Sequence, residues 1–362
     1  MKRVLLRAFA VLVVLVLGSA AAVAFWVRGV YESPYKGYGG DEQFVEIPSG
    51  SSVAAVARHL AQAGIVHDPW LFRLAVWRRQ ADHSVQAGEY RFDKALTVEE
   101  VLLRLVKGDV YLRPLTIREG LTIREMAEVF EQRGFGAAAD FVAAAADASL
   151  VRDIDPSAPD LEGYLFPETY ALSRQSTARD LVHHMAERFT TVFTADMIRR
   201  ARERGLTPRQ VVTVASLVEK ETALADERPR VAAVYLERLK REMLLQCDPT
   251  VIYALRRDGR FDGNLTRADL AYDSPYNTYR YPGLPPGPIA APGRASLEAV
   301  LAPAADTSLY FVSRNDGSHA FARTLEEHNR NVLEFQVRYF RERRAREQRE
   351  GPQRGARSIG RP

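Results

Sequence analysis

Cysteine is almost absent. Cys247 stands alone among 362 residues, so no intramolecular disulfide can form and no cysteine cluster can hold a metal. Several catalytic signatures are missing as well: there is no Gly-rich phosphate loop, no HExxH and no GxSxG. The seven histidines do not cluster, and His183 and His184, being adjacent, point to different sides of a helix. An excess of one charge is also lacking, since the net charge is only +4. Nine Arg against three Glu between Arg338 and Arg361 account for more than all of it and leave the rest at −2. The body therefore offers no basic face for nucleic acid, and residues 337–362 read as a solvated, disordered tail.

Charge is absent from one further place. Ala8 to Val27 is a run of 20 uncharged residues. At roughly 1.5 Å per residue it is long enough to cross a hydrocarbon core about 30 Å thick. Lys2, Arg3 and Arg7 precede the run, which predicts a cytoplasmic N-terminus (1–7), a single membrane helix (8–27) and an exported body. Trp26 fits an interfacial anchor. The rival is a signal peptide cleaved after "AVA" at Ala22–Ala24, but the apolar run continues through Phe25 to Val27 and favours an uncleaved anchor. A chain of this length is too long for one typical domain and buries a large core without disulfides.

"ESPYKGYGGDE" (Glu32–Glu42) is rich in breakers and, with the residues before it, reads as a linker over 28–42. An internal repeat follows. Val45–Ile65 aligns without gaps on Leu115–Phe135, matching Ile47 with Ile117, Gly50 with Gly120, Leu60 with Phe130 and Gly64 with Gly134. Each copy predicts a short strand, a Gly turn, an amphipathic helix and a Gly at the helix end. Thr122 with Glu125 and Thr97 with Glu100 are capping boxes. With "AGEYRF" (Ala87–Phe92) as a strand and a helix stopping at Gly108, residues 43–113 form a small α/β unit. The chain as a whole reads as α+β.

The second half predicts helices over Thr177–Phe193, from Thr207 through "VASLVEKETA" (Val214–Ala223), and from about Asp226 to Met243. Thr207, Pro208 and Gln210 open the second of these as N-cap, first position and third position. Asp262–Gly293 is too rich in Pro, Gly, Asn and Tyr for a long helix, and an irregular stretch of that length usually carries function. "LYFVSR" (Leu309–Arg314) and "HAFA" (His319–Ala322) close as a hairpin, and a last helix begins near Leu325.

On a helical wheel, Val211 to Val218 define an apolar side with Glu219 and Glu221 on its two flanks and Lys220 opposite. Residues two apart do not face each other, so the two glutamates are no cooperating pair. The wheel does not choose between a catalytic carboxyl and two border salt bridges. Elsewhere polar groups are interleaved with aromatic ones. Glu162, Tyr164 and Glu168 lie in "LEGYLFPETY", Gln246, Asp248 and Thr250 in "LLQCDPTVIYAL", and Tyr276, Asn277 and Tyr279 in the irregular stretch. Such surfaces suit sugar rings, which show an apolar face and a rim of hydroxyls.

These motifs, with "ERPRVAAVYLERL", "YNTYRYPGLPPGPIAAPG" and "HAFARTLEEHN", resemble the YceG-like endolytic murein transglycosylases from the anchor to about Gln336. The resemblance implies that Glu221 is the catalytic glutamate. It adds His319 to the expected substrate-binding set of Glu162, Tyr164, Glu168, Gln246, Asp248, Thr250, Tyr276, Asn277 and Tyr279. It implies a LysM-like module at 43–113, which its composition suits, and a mixed α/β catalytic domain at 114–336 with a helix-borne glutamate. The implied substrate is peptidoglycan, the implied partners are cell-wall synthases and the membrane, and no cofactor or metal is implied. Cys247 departs from the small polar residue expected before Asp248 and puts a thiol near the cleft. A hydrolytic muramidase using Asp248 or Glu162 as a second acid, and a non-catalytic wall-binding scaffold, stay open at this level.

Overall fold

The computed structural model describes residues 2–350, and of residues 2–6, 8 and 346–350 the backbone alone. It divides into two compact units. Among the described residues the first comprises 2–114 and 171–175, the second 115–170 and 176–350.

The first unit opens with helix α1 (Lys2–Glu32), whose apolar residues Phe9 to Trp26 are exposed. Strand β1 (Gln43–Ile47), helices α2 (Val53–Gln62) and α3 (Pro69–Arg79), strand β2 (Gly88–Phe92) and helix α4 (Val98–Lys107) follow. β1 and β2 are antiparallel, with Gln43 opposite Phe92 and Ile47 opposite Gly88. Val45, Ile47, Leu60, Phe72, Tyr90, Phe92, Leu102 and Leu105 meet in one core. The Thr97–Glu100 capping box and the left-handed Gly108 bound α4 as the sequence implies.

The expected linker is not a free tether. α1 runs on through residues 28–32 because Tyr31 has a buried place in this unit, where its hydroxyl donates to Glu99 at 2.5 Å. Beyond it, Tyr35 exchanges backbone hydrogen bonds with Leu96, and Gly37 N–H donates to the Gly64 carbonyl at 2.8 Å.

The chain passes to the second unit within β3 (Arg113–Thr116), continues through α5 (Ile123–Gln132) and α6 (Ala138–Ala145), and changes unit again within β4 (Thr169–Leu172). The repeat is visible in backbone geometry. Gly50 and Gly120 turn at φ 75° and 76°, Gly64 and Gly134 both at 71°, and α2 and α5 are ten residues each. These left-handed turns are where glycine costs least.

Helices α7 (Ala178–Val192), α8 (Ala195–Glu203), α9 (Pro208–Glu221), α10 (Arg228–Lys240), α11 (Asp248–Arg257) and α12 (Arg294–Leu301) build the body of the second unit. α9 is its axis and packs on α8, α10, α11 and α12. The wheel reading needs correction here, because Val211 to Val218 are buried on every face, Thr213 and Ser216 included. Ser216 remains satisfied: its hydroxyl donates to the Thr213 carbonyl at 2.7 Å and accepts from Ile289 N–H at 3.1 Å.

The irregular 262–293 stretch is stitched on at several points. Gln246 N–H donates to the Thr278 carbonyl, Gly120 N–H donates to the Ala291 carbonyl, and Ala291 N–H donates to the Leu121 carbonyl. A hairpin, β5 (Tyr310–Ser313) with β6 (His319–Ala322), precedes α13 (Leu325–Val332). After a π-helical turn, α14 covers Tyr339–Glu350, where the sequence predicted disorder; the rest of that tail, 351–362, lies outside the described residues.

Candidate active site

α9 ends at Glu221, because Thr222 takes an extended conformation and caps it. The Glu221 side chain is partly buried and lines an open cleft of about 780 Å³, with Arg118, Glu168, Lys220 and Thr222 also on its wall. Two donors meet its Oε2: the Tyr235 hydroxyl of α10 at 3.2 Å and the Cys247 thiol at 3.7 Å. That leaves Oε1 to carry an exchangeable proton. Burial, and then the nearby Asp248, push the Glu221 carboxyl up to about 7. His319 and the two hydrogen bonds pull the other way and lose. Burial also raises the Cys247 thiol well above its usual range, which makes it a neutral donor and a poor nucleophile.

The surrounding shell is built from three segments. Cys247 is fixed by its N–H to the Thr278 hydroxyl at 3.0 Å and by its carbonyl, which accepts from the Thr250 hydroxyl at 2.6 Å. Glu227, after the end of α9, accepts from His319 N–H at 2.8 Å and pairs with His319 Nδ1 at 2.6 Å. His319 in turn lies edge-on to Phe311, which meets Tyr235 in the same manner.

Glu219 serves a different neighbourhood. Its Oε2 accepts from Gly293 N–H at 2.9 Å and the Ser296 hydroxyl at 2.7 Å, and its Oε1 lies 3.5 Å from Arg228. It thus caps the start of α12. The two glutamates do not cooperate, as the spacing implied. Lys220 between them donates to the Gly120 carbonyl at 2.9 Å. Burial and the Glu219 charge raise the Glu119 carboxyl.

The expected substrate-binding residues separate into groups. Asp248 is exposed and accepts from the partly buried Tyr279 hydroxyl beside the Glu221 pocket, and Gln246 is exposed one residue from Cys247. Gln246 has φ 51°, a left-handed value rare for a residue with a Cβ. Glu168 lines the cleft and is paired with Arg188 at 2.7 Å. His319 sits in the shell. Glu162 is buried elsewhere, bonded by Ile123 N–H at 3.1 Å and the Tyr253 hydroxyl at 3.3 Å, and burial pushes it up to about 8. Tyr276 is buried and packs on Tyr253.

Three of the expected residues are enclosed. Tyr164, Thr250 and Asn277 are at most 1% exposed, and their polar atoms bond Asp155, Cys247 with Thr278, and the Leu270 and Tyr272 carbonyls. Tyr235 and Glu227 had no weight as site residues in the sequence reading, although both lie in the quoted "ERPRVAAVYLERL".

A carboxyl group poised near neutrality on the wall of an open cleft, with neutral donors on one of its oxygens, is the arrangement of an acid–base site for an extended substrate. Residues 45–334 match the YceG-like family, and the chain belongs to that family. It is 32% identical over 302 residues to the endolytic murein transglycosylase of Bacillus subtilis strain 168, covering 79% of this chain and 82% of that one. It is 31% identical over 323 residues to the endolytic murein transglycosylase of Streptococcus pneumoniae D39, covering 80% of this chain and 58% of that longer one. The 2.6 Å crystal structure of a YceG-like protein of Listeria monocytogenes aligns with TM-score 0.54 at 30% identity, covering 80% of this chain and 98% of that one.

Proposed function

We propose that this protein is a membrane-anchored lytic transglycosylase, a lyase that cuts peptidoglycan strands internally at the bond between N-acetylmuramic acid and N-acetylglucosamine. The observation that carries the mechanism is the Glu221 carboxyl, held at about 7 on the cleft wall, whereas Glu168 and Glu219 beside it are each taken up by an arginine. Its Oε1 gives a proton to the leaving N-acetylglucosamine oxygen as the bond to the muramic acid C1 breaks. The muramic acid C6 hydroxyl attacks C1, and Glu221 takes back the hydroxyl proton, leaving a 1,6-anhydro end. The nucleophile is part of the substrate, so its positioning entropy is largely prepaid and no water is consumed. One carboxyl group serves as acid and then as base, where hydrolytic glycosidases use two. Asp248 and Tyr279 flank the carboxyl, and Glu168 and Gln246 are available to glycan hydroxyls.

α1 supplies the anchor, with Lys2, Arg3 and Arg7 on the cytoplasmic side and the body facing the wall. The strand–helix–helix–strand unit from β1 to β2, with its own core, supports a LysM-like role in holding glycan. An enzyme so placed terminates new strands beside the synthases that make them.

Mass spectrometry of sacculi digested by the purified full chain tests the reaction. Products ending in 1,6-anhydro-muramic acid are expected. Reducing muramic acid ends would identify a muramidase with Asp248 as second acid, and intact sacculi a scaffold.

The pH dependence has a definite sign. Cleavage starts from neutral Glu221, so the rate holds below about pH 7 and falls about tenfold per unit above it, as the carboxyl ionises. Stability follows the same proton. The folded chain retains it up to about 7 and the unfolded chain only to the ordinary 4.5, so stability declines as pH rises between those values. Glu221→Gln removes this decline, and thermal melts at pH 5 and pH 8 read the difference.

A further inference from the structure

α3 buries Leu71, Phe72, Ala75 and Val76 in the first unit's core. Its other face carries Trp70, Arg73 and Trp77, spaced as i, i+3 and i+7, so they form one stripe along the helix, while the neighbouring Leu74 packs partly against the core. Trp70 is 40% exposed and Trp77 72% exposed, and Trp77 exceeds every other large apolar side chain described in this unit outside α1. Leaving two indoles in water forgoes the largest burial gain available to single side chains. Scattered exposed apolar residues need no explanation, but an ordered stripe of two Trp with an arginine between them does.

The location of the stripe says what covers it. The Arg78 guanidinium, next to Trp77, stacks 5.5 Å from the ring of Tyr31 in α1. Arg79 and Tyr31 are both hydrogen-bonded to Glu99. The C-terminal end of α3 is therefore fixed against the end of the apolar helix. The uncharged run stops at Val27, and Tyr31 is four residues further on, about 6 Å along the helix. The headgroup layer is about 5–8 Å deep on each side of the hydrocarbon. A unit docked at Tyr31 has no room to stand clear of that layer.

We propose that α3 lies on the outer surface of the bilayer as an interfacial helix, with Trp70 and Trp77 among the headgroups and Arg73 toward anionic lipid phosphates. Trp is the side chain best suited to that depth, since its ring is apolar and its N–H keeps a polar partner. Basic residues add attraction to anionic lipid. The inference rests on the proposed anchor and goes beyond it: the first unit grips the membrane at two places, one spanning and one lying flat. This fixes its tilt as well as its height.

The three tryptophans, Trp26, Trp70 and Trp77, make the test specific. The full-length chain carrying Trp26→Phe is reconstituted into phosphatidylcholine–phosphatidylglycerol vesicles, with and without a headgroup spin-labelled lipid. Emission from Trp70 and Trp77 is expected to fall at least about twofold with the labelled lipid, as for interfacial indoles. Emission unchanged by the label overturns the proposal. So does shielding of the indoles by added glycan fragments in unlabelled vesicles with no lipid quenching, which would assign the stripe to the wall. A second variant, Trp70→Phe with Trp77→Phe, leaves Trp26 as reporter against lipid brominated in its acyl chains. Quenched Trp26 with unquenched Trp70 and Trp77 overturns the interfacial helix and leaves the anchor standing. Unquenched Trp26 overturns both.

Discussion

Glu221→Gln is expected to lower the rate of glycan cleavage by about 10²–10⁴-fold, the usual cost of losing general acid–base help, with no loss of fold. The amide keeps the shape of the side chain, and its oxygen still accepts from Tyr235 and Cys247 at the Oε2 position. What it loses is the capacity to release and recover a proton. The melting temperature should rise above pH 7, where the wild-type chain holds an unfavourably buried charge. Glu219→Gln is the matched control. Gly293, Ser296 and Arg228 are the groups that feel it, so it should weaken the start of α12 and leave most of the turnover intact. Release of anhydro-muropeptides, measured against melting curves for both variants, checks the pair. Equal losses of turnover would remove Glu221 from its role.

Arg238→Met is expected to cause a large loss of stability. The guanidinium is buried and donates to three backbone carbonyls: Leu309 at 2.6 Å, Leu244 at 3.1 Å and Leu245 at 2.8 Å. Those carbonyls belong to the approach to β5 and to the segment that delivers Cys247 and Asp248. Met fills similar space and donates nothing. Leaving buried carbonyls unpaired costs about 1–3 kcal/mol apiece before relaxation, so a net loss of about 3 kcal/mol is reasonable. In a body of this size that lowers the melting temperature by about 6–12 °C. Calorimetry reads it directly, and an unchanged melt would mean that the three carbonyls find other donors. Turnover should fall too, because the shelf under Glu221 loses its tie.

Elements with a local cause were legible in the sequence. Capping boxes at Thr97, Thr122 and Thr207, with Pro208 at the first helical position, mark α4, α5 and α9 because a cap is made by residues three apart. The repeat was legible because both copies need the same left-handed turns at Gly50 and Gly120. α3 was missed for a physical reason: Trp70, Leu71, Phe72, Leu74, Ala75, Val76 and Trp77 go almost all the way round, so no period stands out. The polar residues were harder. Tyr164, Thr250 and Asn277 sit among aromatics just as ligand-binding residues do, and only three dimensions show that Asp155, Thr278 and backbone carbonyls take up their hydrogen bonds. Tyr235 was silent because an aromatic at helical spacing reads as core, which its ring is; only its hydroxyl belongs to the site.

The attachment of the 276–293 segment to α9 has a consequence for motion. Ile289 N–H is held by Ser216 and Gly293 N–H by Glu219, three residues apart along one edge of the axial helix. The segment runs beside α9 like a splint, tied at one point by the fully enclosed Ser216 and at the other by the largely buried Glu219. Long irregular segments usually open on their own, far more often than the protein unfolds. This one has to break bonds to the most deeply enclosed helix of its unit before it can swing away. Its amide protons at residues 289 and 293 should therefore exchange on the timescale of whole-unit unfolding. Glycan consequently has to enter a cleft whose far side is already set, with little local gating by that strip of chain.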